Sequence, residues 1–163
     1  MYSVRRWAVR HAGGLDRFYQ GFETLIVKLH PLWEKIGYQR LERPVAKIEK
    51  LCKGLLFDCK MCGQCALSET GMSCSMNCPK NLRNGPCGGV RQNGHCEVKE
   101  DMRCVWMEAW DGNRKMQTGE RILAVQLPVD FSKKDSSSWL SRVREVQQQA
   151  VTERTAEHSS GKQ

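Results

Sequence analysis

The chain has 163 residues and a formal net charge of +8, and hydrophobic residues make up 40% of it. That hydrophobic share is below the roughly 45–50% of a typical globular domain, so we expect one small domain with tails or helical arms. The charge is spread without a dense basic stripe, which argues against nucleic-acid binding. No stretch approaches the roughly 20 apolar residues of a membrane span, and the opening lacks a secretion signal, so we expect a cytoplasmic protein.

The first predicted region, residues 1–57, is helical. Its opening up to Gly14 is rich in Arg and free of acids, which is typical either of a transit peptide or, as we favour, of a basic arm that lies on a partner. Residues 15–29 predict an amphipathic helix that ends before Pro31. A short helix over residues 32–36 follows it. The apolar face of the first helix comprises Leu15, Phe18, Tyr19, Phe22, Leu25, Ile26 and Leu29.

A third helix is predicted to begin at Pro44, a residue that the first helical turn tolerates, and to end near Phe57. Its apolar face, which we expect to be buried, comprises Val45, Ile48, Leu51, Cys52 and Leu55. Cys52 therefore reads as a small apolar residue within the helix packing rather than as a metal ligand.

The second predicted region, residues 58–111, contains eight of the nine cysteines. It is rich in glycine and poor in large apolar residues, so it reads as a loop that cannot bury enough surface to offset its ordering entropy. Cross-links must hold it. The odd cysteine count, the two-residue gaps and the lack of any sign of an oxidising compartment favour thiolates on metal over disulfides.

The spacing of these cysteines favours iron–sulfur clusters. The run Cys59-x2-Cys62-x2-Cys65 is followed, after eight residues, by Cys74-x3-Cys78-Pro. Zinc ribbons use two separated pairs, whereas a triple C-x2-C run with a later Cys-Pro is typical of four-iron ferredoxins. The longer spacer before Cys74 departs from that motif, so the ferredoxin fold itself is not expected. Zinc is the alternative.

Eight cysteines are what two four-cysteine sites require. The predicted ligands are Cys59, Cys62, Cys65, Cys74, Cys78, Cys87, Cys96 and Cys104. We expect the first three to share one cluster, closed by Cys78 or Cys87, and the remaining four to hold a second cluster.

Two further features accompany the predicted ligands. Gly63, Gly88 and Gly89 serve either to bring backbone N–H groups close to cluster sulfurs or only to permit tight turns. His95, beside Cys96, reads as a solvent-exposed loop histidine rather than a supporting group of the cluster.

The last predicted elements are helical and extended. A helix is expected from about Met102 to Gly112. The region 112–151 then has an extended surface segment, residues 119–131, and a helix from Trp139 to about Val151 that is capped by the preceding serines. The polar residues 152–163 are expected to be disordered. The anchors of the extended segment on the protein surface are predicted to be Ile122, Leu123, Val125, Leu127, Val129 and Phe131.

The predicted fold class is therefore mostly α with a large irregular cysteine-rich metal-binding region, that is, a small iron–sulfur domain flanked by helical arms. The four histidines are scattered, and the sequence shows no Ser/His/Asp order, phosphate-binding loop or nucleotide fingerprint. We therefore expect an electron carrier that serves a partner enzyme. The alternatives are a structural zinc module that scaffolds an enzyme and a zinc-type nucleic-acid binder, the latter supported only by net charge.

The run FDCKMCGQCALSETGMSCSMNCPKNLRNGPCGGVRQNGHCEV, followed by CVWMEAW, resembles a known family. It is similar to the cysteine-rich C-terminal domain, or small V-type subunit, of atypical methylenetetrahydrofolate reductases. The NGPCGG signature and the later LPVDF and SSSWL segments also match, so the resemblance covers roughly residues 45–142. Ser75 follows Cys74 where the family usually has proline, which leaves the ligands intact, and Cys52 is not part of the family pattern.

The resemblance implies a non-catalytic accessory subunit of an oxidoreductase complex. It implies two [4Fe-4S] clusters on the eight cysteines, or one cluster plus zinc. It also implies a flavin-containing TIM-barrel partner, with FMN or FAD, that reduces 5,10-methylenetetrahydrofolate to 5-methyltetrahydrofolate and receives electrons from this chain, with further redox subunits as additional partners. The side chains expected either to anchor that partner or to pack internally are Trp106, Trp110, Phe131, Trp139 and Leu140.

Overall fold

The computed structural model describes residues 2–117 and 119–160. Its α-helices are α1 (Tyr2–Arg10), α2 (Ala12–Lys28), α3 (His30–Ile36), α4 (Tyr38–Phe57), α5 (Val105–Asn113) and α6 (Ser138–Ser160), with short 3-10 helices at Ser75–Asn77, Gly119–Leu123 and Phe131–Lys133. Within these residues there is no β-strand, and only two isolated bridges pair the backbone. The mostly α prediction is confirmed. No helix in this part of the chain is long and apolar enough to cross a bilayer.

The N-terminal arm packs on the protein itself. Helix α1 contacts α4 and α5, and its residues Arg5, Ala8 and Val9 are buried. Ala8 lies in one apolar cluster with Phe57 and Met72. One face of this arm therefore completes the protein's own core with its small apolar residues.

The break between α2 and α3 lies where the sequence predicts it. Helix α2 ends at Lys28, and α3 begins at His30 with a proline in its first turn. The indole Nε1 of Trp33 donates a hydrogen bond to the Ile26 carbonyl at 2.8 Å and holds the two helices together. Gly37, at φ +94°, then ends α3, a backbone conformation that glycine adopts at little cost.

Helix α4 differs from its prediction in both its start and its buried face. It begins at Tyr38 and accommodates Pro44 in its interior. The residues that it buries are Ala46, Glu49, Lys53 and Phe57. The face predicted to be buried lies outside: Ile48, Leu51 and Leu55 are each more than half exposed, and Cys52 is exposed. The serines at the start of α6 donate to or accept from Glu49 and Lys53. Because of these polar partners, the charged side of α4 faces inward where the sequence predicts the apolar side.

Residues 58–104 are irregular apart from one 3-10 turn, as the sequence predicts. Helix α5 follows and begins at Val105, slightly later than expected. It packs closely against the loop at Gly71: a Cβ atom at Gly112 would collide with the Gly71 backbone. Glycines at both positions therefore allow α5 to lie directly on the cysteine-rich loop.

The segment before α6 is less embedded than predicted. Leu123, Val125, Leu127 and Phe131 are strongly exposed, so they do not anchor it to this chain. The other two predicted anchors, Ile122 and Val129, are half-buried.

Helix α6 extends through Ser160, so the prediction of disorder is wrong for residues 152–160, whereas residues 161–163 lie outside the described part. Its residues are mostly good helix formers, and its N-terminal half is held by the buried Leu140 and Val143. An ion pair between Arg142 Nε and Glu23 Oε1, at 2.7 Å, adds a link to α2.

Candidate metal centre

Four of the predicted ligands line one cavity beside the C-terminal end of α4 and the start of α6. They are Cys59, Cys62, Cys65 and Cys74. The cavity has a volume of about 20 Å³. Cys65 is exposed and the other three cysteines are half-buried, so the cavity wall is open at Cys65.

The fourth cysteine that lines this cavity is Cys74, whereas the sequence analysis expects Cys78 or Cys87 beside the first three. The 3-10 helix Ser75–Asn77 separates Cys74 from Cys78. Cys74 packs against the apolar cluster of α1 and α4, whereas Cys78 lies in a different cluster with Cys96. The turn therefore directs the two cysteines to different sides of the loop.

The loop that carries the first three cysteines folds back on itself. Met61 and Gly63 have positive φ angles, +49° and +73°. The Met61 N–H donates to Cys59 Sγ at 3.4 Å, and the Cys62 thiol donates to the Gln64 carbonyl at 3.4 Å. A Cβ atom at Gly63 would collide with the Lys133 carbonyl, so this glycine is required for the turn and for packing against the segment before α6.

Two basic side chains adjoin the cavity. Lys53 is buried and lines it, and Arg83 donates to the Gln64 carbonyl with its Nη1 atom 3.9 Å from Cys62 Sγ. Positive charge at these positions favours the thiolate form of cysteine, which is the form that binds metal.

The surroundings of Cys59 and Cys74 shift the pKa values of these two thiols in opposite directions. A hydrogen bond with Cys74 lowers the pKa of Cys59 to about 6, against the effect of burial, and the Met61 N–H and Lys53 contribute in the same direction. That hydrogen bond, together with burial, raises the pKa of Cys74.

A buried ion pair that the sequence does not predict lies against the same cavity. Lys53 Nζ lies 2.8 Å from both Glu49 Oε1 and Ser138 Oγ. Glu49 also accepts a hydrogen bond from Ser137 Oγ at 2.7 Å. The i, i+4 spacing of Glu49 and Lys53 is a sequence signal for an ion pair, but it gives no sign that the pair is buried.

The other four predicted ligands lie in the loop of residues 78–104. Cys78 and Cys96 are buried in one apolar cluster, and Cys104 is buried in a neighbouring cluster with Trp106. The Cys104 N–H donates to the Gly94 carbonyl at 2.9 Å. A hydrogen bond to Glu97 raises the pKa of Lys80 in the same loop.

The geometry of the described residues can be compared with two kinds of metal site. Within residues 2–117 and 119–160, no group of three or more His, Cys, Asp or Glu side chains is arranged to hold a metal ion. The sulfurs around a single zinc ion each lie about 2.3 Å from it, whereas the ligands of a four-iron cluster bind separate irons and lie farther apart. The four cysteines that line the cavity are the residue type that a four-iron cluster takes as ligands.

Other predicted positions have structural partners. His95 is half-buried, with Nδ1 2.6 Å from the Glu100 carbonyl oxygen, so it is less exposed than predicted. A Cβ atom at Gly89 would collide with the Glu97 carboxylate, whereas at Gly88 it would meet open space.

The five large apolar side chains expected to anchor a partner or to pack internally divide between the two roles. Trp106 and Leu140 are buried, Trp139 is half-buried, and Trp110 and Phe131 are exposed. Only the last two are therefore available to a partner.

Comparison with protein families finds a match over more than half of the chain. The family described as methylene-tetrahydrofolate reductase C terminal matches residues 38–132. The matched stretch begins at α4 and includes all eight predicted ligands, whereas α1, α2, α3 and α6 lie outside it. No curated protein matches the chain, and no solved structure matches it.

Proposed function

The chain belongs to the methylene-tetrahydrofolate reductase C-terminal family, and from this premise we propose that it is a cytoplasmic iron–sulfur electron-transfer subunit of a methylenetetrahydrofolate reductase complex. In this role it passes electrons to the flavin, FMN or FAD, of a TIM-barrel partner that reduces 5,10-methylenetetrahydrofolate to 5-methyltetrahydrofolate. The chain itself performs no chemistry on the folate.

The observation that carries this proposal is the cavity lined by Cys59, Cys62, Cys65 and Cys74. We propose that these four cysteines hold one [4Fe-4S] cluster and that a second cluster is held by Cys78, Cys87, Cys96 and Cys104. Such clusters supply one-electron transfer over a potential range of about −700 to +450 mV. A flavin can accept electrons one at a time, which matches a donor of this kind.

The residues around the cavity suit this role through their charge and hydrogen bonds. Lys53 and Arg83 place positive charge beside the thiolates, and the Met61 N–H donates to Cys59 Sγ. Donors and cations near cluster sulfurs offset the negative charge of the ligand set and tune its potential. The exposed Cys65 gives the ligand set an edge that a partner can approach.

The surface supports a partner subunit. Val125, Leu127 and Phe131 are each about three-quarters exposed or more, and Trp110 is about half exposed. Val125 and Leu127 line a groove of about 370 Å³ that also includes Cys65. Apolar side chains grouped beside an exposed ligand are consistent with a docked redox partner.

The proposal is tested with protein purified without oxygen together with a candidate flavin subunit. The chain should be brown, its visible absorbance should bleach on adding dithionite, and the reduced chain should then reduce the flavin in stopped-flow mixing. A colourless protein with stoichiometric zinc that still supports folate reduction would instead establish the structural zinc scaffold. A brown protein that does not reduce the flavin would reject the proposed direction of electron transfer.

A further inference from the structure

A fully buried ion pair adjoins the first cysteine cavity. Glu49 and Lys53 have only 1% and 3% of their surface exposed, and both line the cavity. The hydrogen bonds that link the pair to other elements go to the start of α6: Ser137 and Ser138 donate to Glu49, and Lys53 donates to Ser138. Buried ion pairs are often no more stabilising than apolar residues of similar volume, so helix packing alone does not account for this one.

The lysine lies one helical turn nearer to the cysteine-rich loop than the glutamate does. Lys53 is closer than Glu49 to the C-terminal end of α4, and the Cys59 N–H donates a hydrogen bond to the Lys53 carbonyl oxygen at 3.3 Å. Burial lowers the pKa of Lys53, but the negative groups around it, Cys65 and Glu49 among them, raise it by more. The positive charge of the pair therefore comes from the residue that adjoins the cysteines.

We propose that Lys53, held in place by Glu49, Ser137 and Ser138, raises the reduction potential of the cluster bound by Cys59, Cys62, Cys65 and Cys74. This inference rests on the proposed function. A cluster gains one negative charge when it is reduced, and a cation buried nearby stabilises that charge more strongly than it would in water. The reduced state is therefore favoured while Lys53 keeps its charge.

Apart from Glu49, the residues that position Lys53 come from outside the family match. Ser137 and Ser138 follow the last matched residue, at position 132. Tyr19 on α2 and Trp139 on α6, whose ring centroids lie 5.5 Å and 5.2 Å from Lys53 Nζ, also come from unmatched elements. The additional helices of this chain thus enclose the Lys53 ammonium group and set its position. The reduction potential that they control is therefore that of the first cluster.

The test is a redox titration of the iron-loaded full chain, followed by electron paramagnetic resonance. Lys53→Met should lower the midpoint potential of the first cluster, and Glu49→Gln should raise it. Lys50→Met, an exposed lysine on the same helix, should leave it unchanged. The second cluster serves as an internal reference, and its potential should move in none of the variants.

An electrostatic effect shifts the midpoint potential in opposite directions in Lys53→Met and Glu49→Gln. Structural damage would shift the potentials of both variants in the same direction. An unchanged or raised potential in Lys53→Met, with iron retained, overturns this inference and leaves the proposed function intact. A wild-type chain without iron overturns both. If Lys53→Met fails to retain iron, Ser138→Ala decides, because loss of its hydroxyl should lower the potential by less than loss of the lysine, and an unchanged value would reject the proposal.

Discussion

The Nδ2 atom of Asn77 donates a hydrogen bond to the carbonyl oxygen of Phe57 at 2.9 Å, and the asparagine side chain is buried. This bond joins the turn that follows Cys74 to the last residue of α4, which precedes the loop with Cys59. It brings together two segments that provide sulfur atoms to the same cavity. The cavity is therefore formed by the ends of neighbouring elements rather than by one local motif.

Asn77→Ala should loosen the cavity. It leaves the buried Phe57 carbonyl without its donor, and we expect the free energy of unfolding to fall by about 1–3 kcal/mol. Denaturant unfolding of the variant measures this loss. Gln92→Ala, at an exposed loop position, is the control and should change stability by less than about 0.5 kcal/mol. Equal effects of the two substitutions would show that the Asn77 bond contributes nothing.

Removal of one predicted ligand should be distinguishable from removal of the cysteine outside the set. Cys62→Ala should lose the iron of the first cluster, because a four-iron cluster with three protein ligands is poorly held. Cys52→Ala should keep all of its iron, since this side chain is exposed on α4 and does not line the cavity. Iron analysis of both variants, purified side by side without oxygen, makes the comparison. Equal loss of iron in the two would overturn the ligand assignment.

The structure predicts that replacing a buried leucine on α6 by alanine costs more unfolding free energy than replacing an exposed leucine on α4. Leu140 is buried at 3% exposure, and Leu140→Ala should cost about 2–5 kcal/mol of unfolding free energy. Leu51 is 64% exposed, so Leu51→Ala should cost no more than about 0.5 kcal/mol in the isolated chain. Thermal or denaturant unfolding measures both. A large loss of unfolding free energy in Leu51→Ala would show instead that the apolar face of α4 is buried, as the sequence predicts.

The buried Glu108 should make stability depend on pH. Burial raises its pKa, although Arg5, Arg6 and Arg103 lower it and Asp111 adds to the rise. Because the folded state holds this proton more tightly than the unfolded chain does, the stability it contributes is present at low pH and is lost as pH rises above about 4.3 through the higher folded pKa.

Glu108→Gln removes this titration. The free energy of unfolding of the variant, relative to wild type, should therefore rise as pH increases from about 4.5 to 7. Urea unfolding of both proteins across this range provides the measurement. A difference that is independent of pH, or that falls over the range, contradicts the assigned pKa direction.

Local signals in the sequence predict much of the helical part. The amphipathic pattern of residues 15–29, the His30-Pro31 pair and Gly37 mark two helices and the breaks between them, because proline and glycine act on the backbone at their own positions. The start of α4 differs from its prediction because proline suits the first turn of a helix, whereas this helix accommodates Pro44 in its interior without the backbone hydrogen bond that proline cannot donate. The sequence does not predict the full length of α6, because the polar residues that favour helices are also common in disordered segments.

The candidate centre was predictable in its residue types but not in its grouping. Cysteine spacing identifies Cys59, Cys62 and Cys65 as neighbours, since they lie on one short loop. The presence of Cys74 in that cavity depends on the direction of a 3-10 turn, and the burial of Lys53 depends on serines 85 residues away in sequence. Such long-range polar contacts leave no periodic signal, so the exposed Ile48 and Leu51 looked like the buried side of α4.

The most direct test of the central claim is the iron, acid-labile sulfide and zinc content of the full chain purified without oxygen. Two four-iron clusters on eight cysteines predict about eight irons and about eight sulfides per chain, with no stoichiometric zinc. A folded chain that contains no iron, or zinc in its place, under the same conditions would contradict the account.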